Sequence, residues 1–252
     1  MRACLIVDHP LRDLDGLVLL ATELVDRDIE AFLVPMYQRH EVFWLQPDVV
    51  LVNYVRFANV GFVEACNRAG IRVAVLDTEG GVQQDIQAFA DRVARHLGGV
   101  ALYCAWGTRQ RDAIADRIRG DDTRVIATGS PRYDFAVPPL VHAVRDPQPH
   151  AERFVLVNTN FPIINPRFQT VRRELHDLIH GMGYEEAFIR EFIRQSRIAQ
   201  AGLVDAVSAL ASRSKGASFI VRPHPFEHAH TYEKFLAQIS NVHVIQAGTV
   251  LE

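Results

Sequence analysis

The sequence predicts an α/β protein built on parallel β-sheets. Short apolar runs rich in β-branched residues recur along the chain with almost no polar interruption, which is typical of strands covered on both faces. Between them lie segments whose apolar residues repeat at helical spacing, as Leu17, Leu20, Ala21 and Leu24 do. Alternating strands and helices of this kind fold as right-handed βαβ units, so we expect doubly wound, Rossmann-like sheets.

The first half of the chain alternates predicted strands with predicted helices. We place the strands at residues 3–7, 31–34, 49–52, 73–76, 101–104 and 124–127. The helices are expected at residues 14–27, 57–69, 83–97 and 108–119. These elements complete one Rossmann-like domain, which is predicted to span residues 1–137 and to carry the acceptor and catalytic groups.

A proline-rich stretch with little periodicity follows, and residues 138–151 are the predicted linker. A second Rossmann-like domain is expected over residues 152–252. Its strands are placed at residues 154–158, 218–221 and 242–245, and its helices at residues 169–180, 184–212 and 227–239. Since it contains half as many strands as the first, we expect this nucleotide-sugar domain to be partial.

Charge, apolar stretches and cysteine positions indicate which partners and which cellular location to expect for the protein. The net charge is −3 with acidic and basic residues mixed, so no nucleic-acid partner is expected. No apolar stretch approaches the roughly 20 residues of a membrane span, so we expect a cytoplasmic protein with at most peripheral membrane association. Cys4, Cys66 and Cys104 are far apart, and we predict that they are buried and form no disulfide.

Polar residues after the strands are the candidate site residues, because ligands of parallel sheets bind at the carboxyl ends of the strands. His9, Arg12 and Asp13 follow the first strand and are candidates for contacting a sugar. The alternative is that they cap the helix that follows.

Glu79 follows the fourth strand and adjoins a pair of glycines. The glycines allow a close approach of the backbone to a ligand, and Glu79 is a candidate general base or nucleophile. The alternative at this turn is that Asp77 or Thr78 simply caps the following helix.

The turn after the sixth strand carries Arg132 and Asp134. Asp134 is a second candidate catalytic carboxylate, and Arg132 is a candidate for bidentate binding of a substrate carboxylate or phosphate. The alternative is an ion pair between the two side chains that fixes the linker. In the second domain, Asn158 and Asn160 follow a strand as candidate substrate ligands, or else as ordinary turn residues.

Arg222 and His224 lie in an Arg-Pro-His-Pro turn directly after a buried-type strand. The prolines stiffen the turn and remove backbone donors, so the directions of the two side chains are fixed. This arrangement suits the binding of a phosphate, and we predict that Arg222 and His224 contact the phosphate of a nucleotide.

Several common motifs are missing from the sequence. It contains no Gly-x-Gly-x-x-Gly fingerprint, no P-loop and no Gly-x-Ser-x-Gly elbow, which argues against dinucleotide, nucleoside-triphosphate and serine-hydrolase sites. No Cys and His set has zinc spacing, and there is no Asp-x-Asp motif, so no metal ligand is predicted.

Five segments carry a resemblance to a known family. They are VDHPLRDL at residues 7–14, LDTEGG at 76–81, TGSPRYD at 128–134, VNTN at 157–160 and VRPHPFE at 221–227. In this order they resemble a bacterial family of surface carbohydrate biosynthesis proteins, which is similar to the retaining β-Kdo glycosyltransferases of capsule and lipopolysaccharide synthesis. The resemblance implies two Rossmann-like domains in the GT-B arrangement, with CMP-Kdo bound mainly by the C-terminal domain.

The resemblance also implies roles for individual residues. His224 would contact the CMP phosphate, and a carboxylate of the N-terminal domain would be the nucleophile, with Glu79 and Asp134 as the candidates. The nucleotide sugar would be a substrate together with a glycan acceptor, and no cofactor is expected.

Three hypotheses about function follow. The first is a glycosyltransferase of bacterial surface polysaccharide synthesis, possessing a carboxylate nucleophile and transferring a sugar such as Kdo to a glycan. The second is a sugar-nucleotide epimerase, because enzymes of that class also pair two Rossmann-like domains. The third is a module without catalytic activity that binds a glycan or a partner in polysaccharide assembly.

Overall fold

A computed structural model of the chain describes residues 1–78, 83, 85–118, 122–144, 153–181 and 184–246. The chain divides into two compact units. Residues 1–144 belong to the first unit and residues 153–246 to the second, among those described. Both units are α/β units built on a parallel sheet, which confirms the predicted class of two Rossmann-like sheets, the second of them small.

The first unit holds a parallel sheet of six strands among its described residues. The strands are β1 Arg2–Val7, β2 Glu30–Pro35, β3 Val49–Val52, β4 Arg72–Leu76, β5 Val100–Ala105 and β6 Arg124–Ala127. The helices are α1 Pro10–Val25, α2 Val42–Leu45, α3 Val60–Arg68, α4 Ile86–Ala94, α5 Thr108–Ala115 and α6 Val141–Val144, with 3-10 segments at Met36–Glu41 and Pro131–Ala136.

The strand order across this sheet is β2-β1-β3-β4-β5-β6. After β2 the chain crosses to the opposite side of β1, so the direction of winding reverses between β1 and β3. Such a reversal opens a crevice at the carboxyl ends of the two strands, which is where open parallel sheets bind ligands.

Strand β1 shows why the sheet is covered on both faces. Cys4 and Ile6 pack into the core cluster on one face, and Ala3 and Leu5 pack with Leu17 of α1 into the cluster on the other. Successive side chains of a strand point to opposite faces, so an uninterrupted apolar run is buried on both sides. Residues 3–6 are accordingly at most 1% exposed.

Helix α1 begins one turn before the predicted residue 14. Pro10 occupies the first helical turn, where its fixed φ is compatible with a helix and its missing N–H needs no partner. His9 is the N-cap residue, and its side chain forms no capping hydrogen bond. Its backbone N–H is bound instead by the Asp13 carboxylate at 3.1 Å.

The second unit contains strands β7 Phe154–Asn158, β8 Ser218–Arg222 and β9 Val242–Val244, which pair in that order. Its helices are α7 Val171–His176, α8 Glu186–Arg213 and α9 Ala229–Leu236. The predicted helix at 169–180 is found in two parts, since α7 continues directly into a π-helix at Asp177–Gly181. One core cluster of this unit joins α8, β8 and α9, with members Val207, Ala211, Phe219, Val221, Tyr232 and Leu236. A second contains Ile163, Ile189 and Ile193.

The three cysteines are buried and unpaired, as the sequence predicts. Burial raises the pKa of the Cys4 and Cys66 thiols to about 11. Among the described helices, none combines the length and the apolar character needed to cross a membrane.

Candidate functional site

The reversal point of the first sheet is occupied by a buried carboxylate, Asp13, which is 3% exposed. The Arg12 guanidinium donates to it through Nε at 2.7 Å and through a terminal nitrogen at 2.9 Å. The Asn53 amide, at the end of β3, donates to it at 3.2 Å. Asp13 therefore ties the end of β1 to the end of β3, and it serves as a framework residue of the crevice.

Arg12 is held by two carboxylates at once. In addition to Asp13, it donates to Asp8 at 2.8 Å. The hydrogen bond with Asp13 raises the pKa of the guanidinium. The side chain remains partly exposed at the carboxyl edge of the sheet, and its charge is balanced by the two carboxylates that fix its position.

Two buried oxygen atoms at this edge have no hydrogen-bond partner among the described residues. They are Oδ1 of Asn53 and Oγ1 of Thr78, in side chains that are 2% and 6% exposed. The Thr78 N–H donates to the Asn53 carbonyl at 3.2 Å, so the two residues are neighbours. Buried polar atoms are normally satisfied, so these two oxygens are candidates for hydrogen bonds at the edge where parallel sheets bind ligands.

Asp77 at the end of β4 is the centre of a second buried network. Its carboxylate accepts from Tyr103 at 2.7 Å and from Gln110 at 2.7 Å, while its backbone carbonyl accepts from the Trp106 indole. Burial and the adjacent Asp77 raise the pKa of Tyr103 well above its usual range. The alternative role of Asp77 or Thr78 as a helix cap is not found, because Asp85 caps α4.

Arg132 joins this second network through aromatic contacts. Its guanidinium carbon lies 4.9 Å from the ring centre of Trp106 and 5.0 Å from that of Tyr133. Its backbone packs directly on Gly16 of α1, where a Cβ would lie 2.7 Å from the Arg132 nitrogen. The side chain is therefore held near the ends of β4 and β5.

The two candidate catalytic carboxylates are placed differently. Glu79 lies outside the described residues. Asp134 is exposed in the 3-10 segment and borders a shallow depression of about 380 Å³ beside Leu19, Leu20 and Glu23 of α1. It forms no ion pair with Arg132, so the alternative of a salt bridge between these two described residues is wrong.

The second unit contains a fully buried carboxylate, Glu227, which is 0% exposed. Its Oε1 accepts from the Thr159 hydroxyl at 2.7 Å and from the His224 N–H at 3.2 Å, and its Oε2 accepts from the Tyr232 hydroxyl. Burial, with the Glu227 hydrogen bond, raises the pKa of Tyr232 to about 12. Glu227 thus connects the end of β7, the turn after β8 and helix α9.

This network fixes the Arg-Pro-His-Pro turn. The Phe226 N–H donates to Nδ1 of His224 at 3.2 Å, so in the neutral ring Nε2 carries the proton. Gln246 donates to the Glu227 carbonyl at 2.6 Å and holds the turn from the other side. His224 and Arg222 are both partly exposed at the end of β8, and His224 is oriented as an N–H donor.

Asn158 is the last residue of β7 and Asn160 follows it, and both are exposed on either side of the buried Thr159. Thr159 donates to Glu227, and its own N–H donates to the Arg222 carbonyl at 3.1 Å. The described part of the chain therefore places Asn158, Asn160, Arg222 and His224 at adjoining strand ends. It contains no group of three or more His, Cys, Asp or Glu side chains that could hold a metal ion.

Comparison with solved structures identifies the fold. A UDP-N-acetylglucosamine 2-epimerase aligns over 100% of this chain and 70% of its own, at 12% identity and a TM-score of 0.56. The same enzyme from Methanocaldococcus jannaschii, in complex with UDP-GlcNAc and UDP, aligns over 100% and 75%, at 11% identity and a TM-score of 0.57. In fold, the chain is similar to UDP-N-acetylglucosamine 2-epimerases.

A further neighbour is S. aureus MnaA in complex with UDP. It aligns over 99% of this chain and 69% of its own, at 11% identity and a TM-score of 0.58. No family model and no curated protein matches the chain. At these identities the likeness to the solved structures establishes the fold alone.

Of the three carboxylates at the centres of these clusters, Asp13 was a candidate site residue and Asp77 was considered at its turn, whereas Glu227 was not singled out. Asn53 and Asp77 directly follow strands, which is the same criterion that made His9 and Arg132 candidate site residues. Thr159 also follows a strand directly. Glu227 and Tyr232 do not, and the burial of a carboxylate leaves no signal in the local sequence. The spacing between Thr159 and Glu227 is 68 residues, which only the fold brings together.

Proposed function

We propose that this protein is an enzyme that acts on a nucleotide sugar, and that its reaction is the 2-epimerisation of a UDP-N-acetylhexosamine. The observation that carries the proposal is the likeness to UDP-N-acetylglucosamine 2-epimerases along 99–100% of the chain. The polar clusters at the carboxyl ends of the strands in both units support it, because ligands of parallel sheets bind there.

The turn of the second unit supplies the groups that a diphosphate requires. Arg222 offers a guanidinium for charge-assisted hydrogen bonds to phosphate oxygens. His224 offers the N–H of Nε2, whose direction is fixed by the Phe226 N–H and by Glu227. Asn158 and Asn160, at the neighbouring strand end, are proposed as further contacts with the substrate.

The first unit supplies the groups that the sugar and the reaction require. His9, Arg12 and Arg132 are proposed to contact the substrate. Asp13, which was predicted as a further contact, is buried and instead holds Arg12 in place together with Asp8. Inversion at C2 balances if a group removes the C2 proton while UDP leaves C1, so that the electron pair of the C–H bond forms a C1–C2 double bond. Return of a proton to the opposite face of C2, with re-addition of UDP at C1, then gives the epimer. Glu79 and Asp134 remain the proposed carboxylates for this work.

Glycosyl transfer is the second candidate function. The five segments that resemble surface carbohydrate biosynthesis proteins are the observation that favours it. In that reaction CMP-Kdo would be the donor, a glycan would be the acceptor, and Glu79 or Asp134 would attack the donor. The epimerase takes precedence because the structural neighbours favour it, and because it requires no acceptor.

The two candidates separate in one experiment. The purified chain is incubated with UDP-GlcNAc alone in D2O, and the products are followed by NMR. Epimerisation yields the manno epimer with deuterium at C2, since the proton that returns to carbon comes from solvent-exchanging groups. Parallel incubations contain CMP-Kdo with and without glycan acceptors, and release of CMP that depends on the acceptor would favour transfer.

A variant in the Arg-Pro-His-Pro turn and a matched control test whether this turn is required for either activity. His224→Gln should weaken UDP binding and slow turnover, whereas His230→Gln, at a histidine whose side chain is 85% exposed on α9, should change neither. Absence of any conversion of UDP-GlcNAc, together with absence of UDP binding in calorimetry, would overturn the proposal.

A further inference from the structure

Two exposed phenylalanines lie beside the Arg-Pro-His-Pro turn in the second unit. Phe168 is 70% exposed and Phe226 is 48% exposed, and their ring centres are 5.8 Å apart with the planes nearly perpendicular. The ring of His224 lies 5.6 Å from that of Phe226 at an angle of 35°. We call the pair Phe168 and Phe226 the aromatic shelf.

The backbone beneath the aromatic shelf is fixed by hydrogen bonds. The Arg167 N–H donates to the Phe226 carbonyl at 2.8 Å, and Pro166 pairs with Glu227 in an isolated antiparallel bridge. The Asn165 amide donates to the His228 carbonyl at 2.9 Å. The two phenylalanines therefore belong to segments that are held against each other, and the shelf is preformed.

Burial does not explain why phenylalanine occupies these two positions, because about half or more of each residue is exposed to water. Their surroundings point to an anionic and aromatic ligand. The Arg167 guanidinium carbon lies 5.2 Å from the ring centre of Phe168, and Arg222 and His224 are at the adjoining strand end. A flat ring linked to phosphates is complementary to such a surface.

We propose that the aromatic shelf binds the base of the nucleotide whose phosphates contact Arg222 and His224. The inference rests on the proposed function, and it assigns to the second unit a base-stacking subsite formed by Phe168 and Phe226. In a nucleoside diphosphate a single ribose separates the base from the first phosphate. A base subsite must therefore adjoin the phosphate subsite, as Phe226 adjoins His224.

UDP carries a base that can stack on an aromatic ring, whereas pyrophosphate has no base and can form only the phosphate contacts. The shelf therefore contributes to the affinity for UDP and contributes nothing to the affinity for pyrophosphate. This difference separates the subsite from a general role in folding or in charge.

Isothermal titration calorimetry with UDP and with pyrophosphate tests the inference on the full chain. Phe168→Ala and Phe226→Leu should each weaken UDP binding by about tenfold, in line with the usual effect of removing a stacking ring. Both variants should bind pyrophosphate as the unmodified chain does. Phe188→Ala, at a ring that is 58% exposed on α8 of the same unit, is the matched control and should bind both ligands normally.

Each result has one meaning. If the unmodified chain binds UDP and both shelf variants bind it equally well, the base subsite is wrong while the proposed function stands. If the variants lose UDP and pyrophosphate in parallel, the loss is not specific to the base and the subsite is likewise wrong. If the unmodified chain binds no UDP and converts no UDP-GlcNAc, the proposed function itself fails. If the sedimentation coefficient rises with protein concentration, and Phe168→Ala removes this rise, the shelf is instead a surface for self-association.

Discussion

The hydroxyl of Thr159 donates to Glu227 at 2.7 Å and so joins the end of β7 to the turn after β8. Glu227 is completely buried, and its other described donors are the Tyr232 hydroxyl and the His224 N–H. A buried carboxylate surrounded by neutral donors is stable only while those donors remain in place. The relationship therefore links the stability of the second unit to the geometry of its candidate phosphate turn.

Replacing Glu227 tests this link. Glu227→Ala leaves two hydroxyls and a backbone N–H without their acceptor, and we expect the free energy of unfolding to fall by about 3 kcal/mol. Urea unfolding followed by far-ultraviolet circular dichroism measures the change. Glu233→Ala, at a side chain that is 54% exposed on α9, should stay within about 0.5 kcal/mol of the unmodified chain. Equal stabilities of the two variants would contradict the link.

Gly16 should tolerate no side chain. A Cβ at this position would lie 2.7 Å from the Arg132 nitrogen and 3.0 Å from its Cα, so the helix and the 3-10 segment would have to separate. We expect Gly16→Ala to destabilise the first unit by about 1–3 kcal/mol, as measured by thermal unfolding.

Gly61 is the control for the thermal unfolding of Gly16→Ala, because it has room for a Cβ. It lies in α3 with no atom within 4 Å of an added Cβ, so Gly61→Ala should be neutral or stabilising by up to about 1 kcal/mol. A Gly16→Ala variant with unchanged stability would show that the close approach of α1 to Arg132 does not occur.

The three cysteines should resist modification in the folded chain. They are buried and unpaired, and burial raises the pKa of Cys4 and Cys66 to about 11, so the reactive thiolate is scarce at about pH 8. An aromatic disulfide reagent should react slowly with the native chain and rapidly with all three thiols in denaturant. Ala201→Cys, at an exposed position of α8, should add one fast thiol. Rapid reaction of the native cysteines would contradict their burial.

Alkaline pH should destabilise the fold through Tyr232. Its pKa is raised to about 12 by burial and by Glu227, whereas an unfolded tyrosine ionises near about 10. The unfolded chain therefore loses its proton first. The stabilisation is complete below about pH 10 and is lost between about 10 and 12, at about 1.4 kcal/mol per pH unit. Tyr103, whose pKa is also raised, acts in the same direction.

Thermal unfolding from about pH 9 to about pH 11 measures this loss. Tyr232→Phe should be less stable at neutral pH and should show a shallower decline above about pH 10. Tyr37→Phe, at a side chain that is 95% exposed, should follow the unmodified chain. Parallel declines for all three proteins would argue against the contribution of Tyr232.

The positions of the strands were predictable because each is a continuous apolar run. Strands β3, β6 and β7 have the predicted ends, and the others differ by one residue at one end or at both. The short helical segments between β2 and β3 were not predicted, because helical periodicity needs more than one turn to show. The start of α1 was placed too late, since Pro10 is compatible with a first helical turn even though it ends helices elsewhere.

The sequence by itself determined the fold class, the succession of elements and the edge at which the polar residues gather. It did so because apolar periodicity and the succession of strands and helices are properties of the chain read along its length. Tertiary structure alone decided which of those residues meet. Asn53 and Asp13 are 40 residues apart and Gln110 and Asp77 are 33 apart, and the sheet order determines both contacts. Burial of a carboxylate depends on what packs around it. The residues adjacent to Glu227 in the sequence therefore do not indicate that it is the buried acceptor for Thr159 and Tyr232.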